Sequence, residues 1–343
     1  MTYLLLDAAF LACPKPIDMP QEERHTRVRE YISRLVELNS LRRTCRSTEF
    51  VRDGQLTLVL HELGCYPFRS SISEALSLCS DEFEIQVEDA NRLANFLLER
   101  SALLEDIGEF LDVVVGEFSA VPAFDPATPV KFLDQLIRTV ALAALAIPSE
   151  NTFLATTLAS QAQSHLSFNM LLNLAEKGDG SIIEPTDAVS ITLPIHKNTA
   201  NYLKSLNLLS LLGQGNSDAL IDCCVALAAR DEADPAERAA RLSALINVGK
   251  DFVYSASCLG FFHEPSKMQR LIRACADILV GRNLAKSHHL RSGKGANDPQ
   301  RMRGNWGAWR HDLDDEFHLH YWRSGDAIEL SNVVVHNEFD ITY

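Results

Sequence analysis

The feature that most constrains the fold is an alternation of apolar and polar residues near the C-terminus. Residues 316–338 read EFHLHYWRSGDAIELSNVVVHNE. A period of two is typical of a β-strand, and a Gly–Asp pair between two such runs predicts a two-residue hairpin turn. The sequence therefore predicts a C-terminal β-hairpin with Gly325 and Asp326 in the turn.

The register of this hairpin decides which side chains share a face. Counted from the turn, His320 faces Ser331 and His318 faces Val333. One face is then apolar, and the other carries both histidines together with Glu329. His318, His320 and Glu329 are candidate catalytic residues, because two imidazoles and a carboxylate can exchange protons near neutral pH or bind a metal. A polar sheet face without chemistry is the alternative.

Most of the remaining chain has helical periodicity. YLLLD at residues 3–7 predicts a buried strand, and apolar residues recur at helical spacing over 21–38. We expect an α+β fold that is mostly α-helical, with an N-terminal β/α unit and a C-terminal β-hairpin module. Further helices are predicted over 107–118, as an apolar continuation of the preceding helix, and over 265–288.

A proline-rich stretch predicts the first domain boundary. VPAFDPATP at residues 121–129 contains three prolines in nine residues, which is typical of a linker. The domains expected from the sequence are a β/α domain at 1–120, a helical domain at 121–264, and a basic helix, loop and β-hairpin module at 265–343.

The charge of the chain is unevenly distributed. The net charge is −14, which opposes non-specific attraction to nucleic acid, but Lys267 to Arg310 carries ten Lys or Arg against two acids, a net of +8. All three tryptophans lie close to this segment and could stack on unpaired bases, or could instead anchor a small domain. The candidate nucleic-acid-binding residues are Arg282, Lys286, His288, Arg291, Lys294, Arg301, Arg303 and Arg310.

The N-terminal third resembles PIN-domain nucleases. The resemblance is carried by YLLLD, a strand that ends in Asp7, and by CRSTEF, a strand-to-helix passage that contains Glu49. PIN proteins gather carboxylates at strand ends to hold Mg²⁺ or Mn²⁺, which activates water for phosphodiester cleavage. The resemblance implies that Asp7 and Glu49 are catalytic residues and metal ligands, with Asp89 as a third ligand. A β/α scaffold without catalysis is the alternative.

Two shorter stretches also resemble known proteins. RNLAKSH, from Arg282 to His288, resembles the ribonuclease motif of helical HEPN domains, in which an Arg and a His assist attack of a ribose 2′-hydroxyl. A basic helix C-terminus is the alternative there. The C-terminal block at 304–341, from GNWGAWRHDLDDEFHLHYW through HNEFDI, resembles the ends of uncharacterised bacterial proteins that accompany phage-defence or mobile-element genes.

Together these features predict a component of a bacterial antiviral defence system that acts on or senses nucleic acid. Metal-dependent cleavage with Mg²⁺ or Mn²⁺ is one form of that action. The alternative is a non-catalytic protein-interaction subunit of a multi-protein defence complex. We expect nucleic acid and a protein of the same system as partners. The longest apolar stretch, 139–148, is far shorter than the roughly 20 residues of a membrane-spanning helix, so we expect a cytoplasmic protein without a membrane partner.

Overall fold

The computed structural model describes residues 1–15, 20–77, 85–148, 150–160, 162–183, 188–293 and 298–342. Helices account for 45% of the chain and strands for 26%, so the predicted α+β class, with more helix than strand, is confirmed. The chain forms two compact units. We call Thr2–Asn39 with Thr48–Asn198 the N-terminal unit, and Met1, Ser40–Ser47 and Thr199–Tyr343 the C-terminal unit.

This division differs from the predicted domains 1–120, 121–264 and 265–343. Strand pairing is the reason, because sheets cross both predicted boundaries. Phe110–Val121 pairs with His165–Lys177, and Ile246–Val248 pairs with Ala327–Val335. The proline-rich stretch at 121–129 is therefore a connection within the N-terminal unit.

A four-stranded parallel sheet lies in the N-terminal unit. Its order is β3-β2-β1-β5, and each neighbouring pair is parallel. The central strand reads TYLLL, and its three leucines are fully buried, as is typical of parallel strands that are covered on both faces. The strands are β1 Thr2–Leu6, β2 Thr48–Arg52, β3 Ala102–Leu103 and β5 Thr152–Ala155.

A second, antiparallel sheet in the same unit corrects the prediction of a helix over 107–118. Most of that stretch is strand β4, which pairs with β6 over nearly its whole length. Its run of three valines favours a strand, since β-branched side chains fit a pleated surface better than a helix. The strands are β4 Phe110–Val121, β6 His165–Lys177, β7 Ile182–Ile183 and β8 Val189–Pro194.

Seven helices are described in or starting in the N-terminal unit. The apolar helix α7 shares one buried cluster with side chains from both sheets, so it is the core helix that its sequence predicts. The helices are α1 Ala8–Leu11, α2 Gln21–Thr44, α3 Leu56–Glu62, α4 Arg69–Ser77, α5 Val87–Arg100, α6 Leu104–Gly108 and α7 Val130–Ala146.

The C-terminal unit combines helices with a mostly antiparallel sheet. The sheet order is β10-β12-β13-β14-β9, with β11 beside β12. The strands are β9 Ile246–Val248, β10 Ser287–His289, β11 Met302–Arg303, β12 Trp306–Asp312, β13 Phe317–Ser324 and β14 Ala327–Val335. The helices are α8 Thr199–Ser205, α9 Leu208–Leu212, α10 Ser217–Ala229, α11 Pro235–Leu245, α12 Phe252–Cys258 and α13 Pro265–Val280.

Helix α13 ends eight residues before the predicted end at 288. Gly281 follows it with a φ of 71°, a left-handed conformation that commonly closes a helix. A short 3₁₀ turn at Leu284–Lys286 then leads into strand β10. Arg282 and His288 therefore do not share a helix, and the helical motif implied by the HEPN resemblance does not form.

The hairpin turn is confirmed, but half of the predicted register is wrong. Ser324 pairs with Ala327 around the Gly325–Asp326 turn, and Trp322 pairs with Glu329 as expected. A bulge then adds one residue to β14, so that His320 pairs with Asn332 and His318 with Val334. One inserted residue moves every later side chain to the opposite face.

Among the described residues, none of the helices is long and apolar enough to cross a membrane.

Candidate functional site

Two buried acids lie at the carboxyl edge of the parallel sheet. Asp7 directly follows β1 and Asp53 directly follows β2. Carboxyl ends of parallel strands meet at one edge, where α/β proteins commonly bind ligands. Asp7 caps helix α1, because its Oδ1 accepts a hydrogen bond from the Phe10 N–H at 2.6 Å. The sequence identified Asp7, but not Asp53.

A single amide of the core helix connects Asp53 to the backbone directly after Asp7. Gln135 of α7 accepts a hydrogen bond from the Ala8 N–H at 2.8 Å and donates to Asp53 Oδ2 at 3.0 Å. The Thr139 hydroxyl donates to the same carboxylate oxygen at 2.6 Å. Asp7, Asp53, Gln135 and Thr139 are all buried. Both acids are thus shielded from bulk solvent.

Burial changes the protonation of both acids. It raises the pKa of Asp7 to about 7, against the smaller opposing effects of the Thr156 hydroxyl, the Phe10 N–H and Arg34. Burial also raises the pKa of Asp53, which hydrogen bonds from Thr139 and Gln135 and the charge of Arg138 partly counter. At neutral pH Asp7 can therefore hold a proton, so it differs from a simple anionic metal ligand.

The other predicted metal ligands do not join Asp7. Glu49 pairs with Tyr3, four residues before Asp7 along parallel strands, which corresponds to about 13 Å at 3.3 Å per residue. Asp89 lies on helix α5, where it pairs with Arg92. Within the described ranges, no group of three or more His, Cys, Asp or Glu side chains could hold a metal ion. Asp7, Glu49 and Asp89 therefore do not form a common metal site. Binding of Mg²⁺ or Mn²⁺ stays a prediction, and no described residues are assigned as its ligands.

The predicted catalytic face of the hairpin is buried beneath the segment 339–342, which we call the C-terminal cover. His320 Nδ1 donates to the Asp340 carbonyl at 3.0 Å, and Trp322 Nε1 donates to the Thr342 carbonyl at 2.9 Å. Burial lowers the pKa of His320 to about 4, so its imidazole is neutral at pH 7. His320 has a packing and hydrogen-bonding role here.

Glu329 does not meet the two histidines either. It forms an ion pair of 2.8 Å with Arg303, whose guanidinium lies 4.8 Å from the Trp322 ring centre. The predicted catalytic residues His318, His320 and Glu329 therefore have separate partners. Arg303, predicted to bind nucleic acid, is neutralised by this pair.

His318 belongs to a different group of charged side chains, centred on Asp312. Asp312 pairs with His318 across β12 and β13, and the His318 Nδ1 to Asp312 Oδ1 distance is 3.0 Å. On the other side, His288 Nε2 lies 3.4 Å from Asp312 Oδ2, and Arg310 Nε lies 3.5 Å from Oδ1. Burial first, and Arg310 second, lower the pKa of His318. Asp312 could not be identified from the sequence, because its contacts with His318 and His288 arise from the pairing of separate strands.

A cavity of about 960 Å³ opens beside this group. We call it the histidine cavity; its lining includes His288, His289, Arg291, Trp309 and Arg310. The His289 ring meets the Trp309 ring edge-on at 4.3 Å between centres, and Trp309 stacks on Tyr321 at 6.3 Å. Half of the His288 side chain is exposed, whereas His318 is almost fully buried. His288 pairs with Arg310 and His289 pairs with Trp309, so these two pairs point to opposite faces of the sheet. The lining thus combines cationic and titratable residues of one face with aromatic residues of the other, at the edge strand β10.

The other predicted nucleic-acid-binding residues are not all in this cavity. Arg282 pairs with Asp277 at 3.3 Å, and Arg301 donates to the Arg291 carbonyl at 2.9 Å. Lys286 lies in the 3₁₀ turn before β10. Lys294 lies outside the described residues. Of the eight predicted residues, His288, Arg291 and Arg310 line the cavity together.

Comparison of the chain with protein-family models, curated proteins and solved structures finds no match.

Proposed function

We propose that the chain is a nucleic-acid-binding component of a bacterial antiviral defence system, that it works in the cytoplasm, and that it binds single strands in the histidine cavity. The observation that carries the proposal is the joint lining of this cavity by Arg291, Arg310, His288 and the Trp309–His289 aromatic pair.

The chemistry of this lining suits a single strand. Guanidinium groups bind phosphate oxygens through parallel N–H donors, and an aromatic ring gives an unpaired base a stacking partner worth about 1–3 kcal/mol. The segment from Lys267 to Arg310 supplies a local net charge of +8 in a chain of net charge −14. Arg282 and Arg303 of this segment form ion pairs, so attraction of a polyanion near the aromatic pair rests on the two lining arginines, Arg291 and Arg310.

The defence setting has a different support. It comes from the resemblance of residues 304–341 to the ends of uncharacterised bacterial proteins that accompany phage-defence or mobile-element genes. A protein of the same system is the second proposed partner. The alternative proposal is a non-catalytic interaction subunit, in which this surface docks a protein.

Binding is tested with labelled single-stranded RNA and DNA by fluorescence anisotropy. Arg310→Gln and Trp309→Leu should each weaken binding about tenfold or more, because each removes a phosphate or base contact. Arg273→Gln is the matched control, since Arg273 is an exposed arginine of helix α13 that does not line the cavity. Circular dichroism of each variant checks the fold.

Absence of binding to either strand type would overturn the proposal. Retained pull-down of a partner protein in the same preparations would then favour the interaction subunit.

Cleavage is a second candidate function of the same cavity. The half-exposed His288 lies beside Asp312 and Arg310, an arrangement that suits general acid–base chemistry on a bound phosphodiester. Incubation of the same oligonucleotides with EDTA should then leave cleavage intact in the wild type and abolish it in His288→Asn. Binding without cleavage would indicate that the protein senses nucleic acid and does not cut it.

A further inference from the structure

A second cavity, of about 640 Å³, lies at the carboxyl edge of the parallel sheet in the N-terminal unit. Its wall includes residues that follow β1 and β5, and one face of helix α2. Arg27, Glu30 and Arg34 are spaced three and four residues apart on that helix, so they lie on one stripe. Lys15 adds another cation, and Phe132 and Leu158 add apolar surface. We call this space the edge cavity.

The topology of the sheet marks this place as a ligand site. From β1 the chain moves outward through β2 to β3, and it later returns to the other side of β1 as β5. The order of strands therefore reverses between β1 and β5. In open α/β sheets, ligands bind outside the carboxyl ends of the strands at such a reversal, because the connections leave in opposite directions and open a crevice.

Arg34 is the residue that points to the charge of the ligand. Its guanidinium lies 5.4 Å from the Phe10 ring centre and 5.8 Å from that of Tyr31, and its Nε is buried without a hydrogen bond. Burial lowers the pKa of Arg34, against the smaller opposing effects of Glu30, Tyr31 and Asp7. A buried donor without a partner destabilises the fold, and a bound anion that accepts its hydrogen bond would remove this cost.

Asp7, the buried acid near Arg34, does not act as the anion that would balance the charge of Arg34. Asp7 influences Arg34 electrostatically, but burial raises the pKa of Asp7 to about 7, so at neutral pH much of its population is uncharged. Glu30 on the same stripe is exposed. Glu30 partly compensates Arg34, and Arg27 pairs with Glu23 at 2.9 Å, so the excess of positive charge in the edge cavity rests on Lys15 and Arg34.

We propose that the edge cavity binds a small phosphate monoester with a ring-bearing body, of the size of a nucleoside monophosphate, with the phosphate on Arg34 and the ring against Phe132 and Leu158. A planar guanidinium matches the phosphate oxygens, with Lys15 as a second point charge. The volume lies within the range of about 300–1,000 Å³ that is usual for small-molecule sites. This site is separate from the histidine cavity and does not depend on the proposed nucleic-acid binding.

The test is isothermal titration of the full chain with adenosine 5′-monophosphate, adenosine and inorganic phosphate at pH 7. The monophosphate should bind the wild type, and adenosine at least tenfold more weakly, because it lacks the group that Arg34 holds. Arg34→Gln should weaken monophosphate binding at least tenfold. Arg29→Gln, an exposed arginine of the same helix that does not line the edge cavity, should leave it unchanged.

Two further variants control for misfolding and for binding in the histidine cavity. Lys15→Gln changes an exposed side chain and should weaken binding about threefold to tenfold without affecting the fold. Arg310→Gln should leave monophosphate binding unchanged, whereas Arg34→Gln should leave single-strand binding unchanged. Equal affinity in wild type and Arg34→Gln, loss in Arg310→Gln alone, or no binding of the monophosphate at millimolar concentration would each overturn the proposal.

Discussion

At the scale of single residues, Asp7 ties the stability of the fold to pH. Its pKa is about 7 in the folded chain, against an ordinary value of 3.8. Between these values the folded state keeps a proton that the unfolded state has lost. The free energy of unfolding therefore falls as the pH rises through this window, by about 1.4 kcal/mol per pH unit, and the loss is complete above pH 7. His320 acts oppositely, because its stabilising contribution is lost as the pH falls from 6.5 towards 4.

Asp7→Asn should remove the contribution of Asp7 to this pH dependence. Urea denaturation at several pH values between 4 and 8 should show the variant gaining stability relative to the wild type as the pH rises, because an amide has no proton to lose. Asp89→Asn, at an exposed position of α5, should follow the wild type. A constant difference between Asp7→Asn and wild type would contradict the raised pKa.

At the scale of elements, the C-terminal cover completes the hairpin. Ser331, Asn332, His320 and Trp322 all donate hydrogen bonds to the carbonyls of Asp340 or Thr342. Ile341 belongs to a small apolar cluster with Trp322 and Leu290. The buried polar groups of this hairpin face thus depend on the four residues of the C-terminal cover for their hydrogen-bond partners.

Removal of residues 340–343 should lower the free energy of unfolding by about 2–4 kcal/mol. The truncation leaves several buried donors unpaired and exposes Trp322, and each lost partner costs about 1 kcal/mol. Thermal unfolding followed by tryptophan fluorescence should show a lower Tm and a red-shifted native emission. Glu338→Gln, an exposed change beside the cover, is the control and should have the wild-type Tm. An unchanged emission maximum in the truncated chain would refute the covering role.

Elements with a clear period of apolar residues could be predicted from the sequence. Features that depend on the pairing of strands distant in sequence could not. TYLLL and the Gly325–Asp326 turn have strong local signals, so β1, Asp7 and the hairpin could be predicted. The bulge in β14 has no local signal, and it shifted the β14 partner of His318 from Val333 to Val334. Asp312 lies beside His318 through the separate pairing of β12 with β13, which has no local signal either. Asp53 had the same signal as Asp7, an acid directly after an apolar strand, and could have been found by applying that pattern to TEFVRD.

At the scale of the whole molecule, charge sets how binding should respond to salt. The net charge of −14 repels a polyanion, and few cations line the histidine cavity. About three phosphate contacts predict a slope near −2 for log K against log salt concentration on single strands, from about 0.7 per contact. Anisotropy titrations between low and physiological salt measure this slope. A slope near zero would indicate that charge does not drive binding.

The parallel pairing of β1 with β5 also sets the order in which the chain can fold. Tyr3 pairs with Thr152, so the two partners are 152 − 3 = 149 residues apart. Contacts of such separation form slowly, because a long loop must close before they stabilise anything. Until β5 arrives, one edge of the apolar strand β1 stays open to pairing with another molecule. Folding yield should therefore depend on protein concentration and on chaperones that shield this edge during the delay.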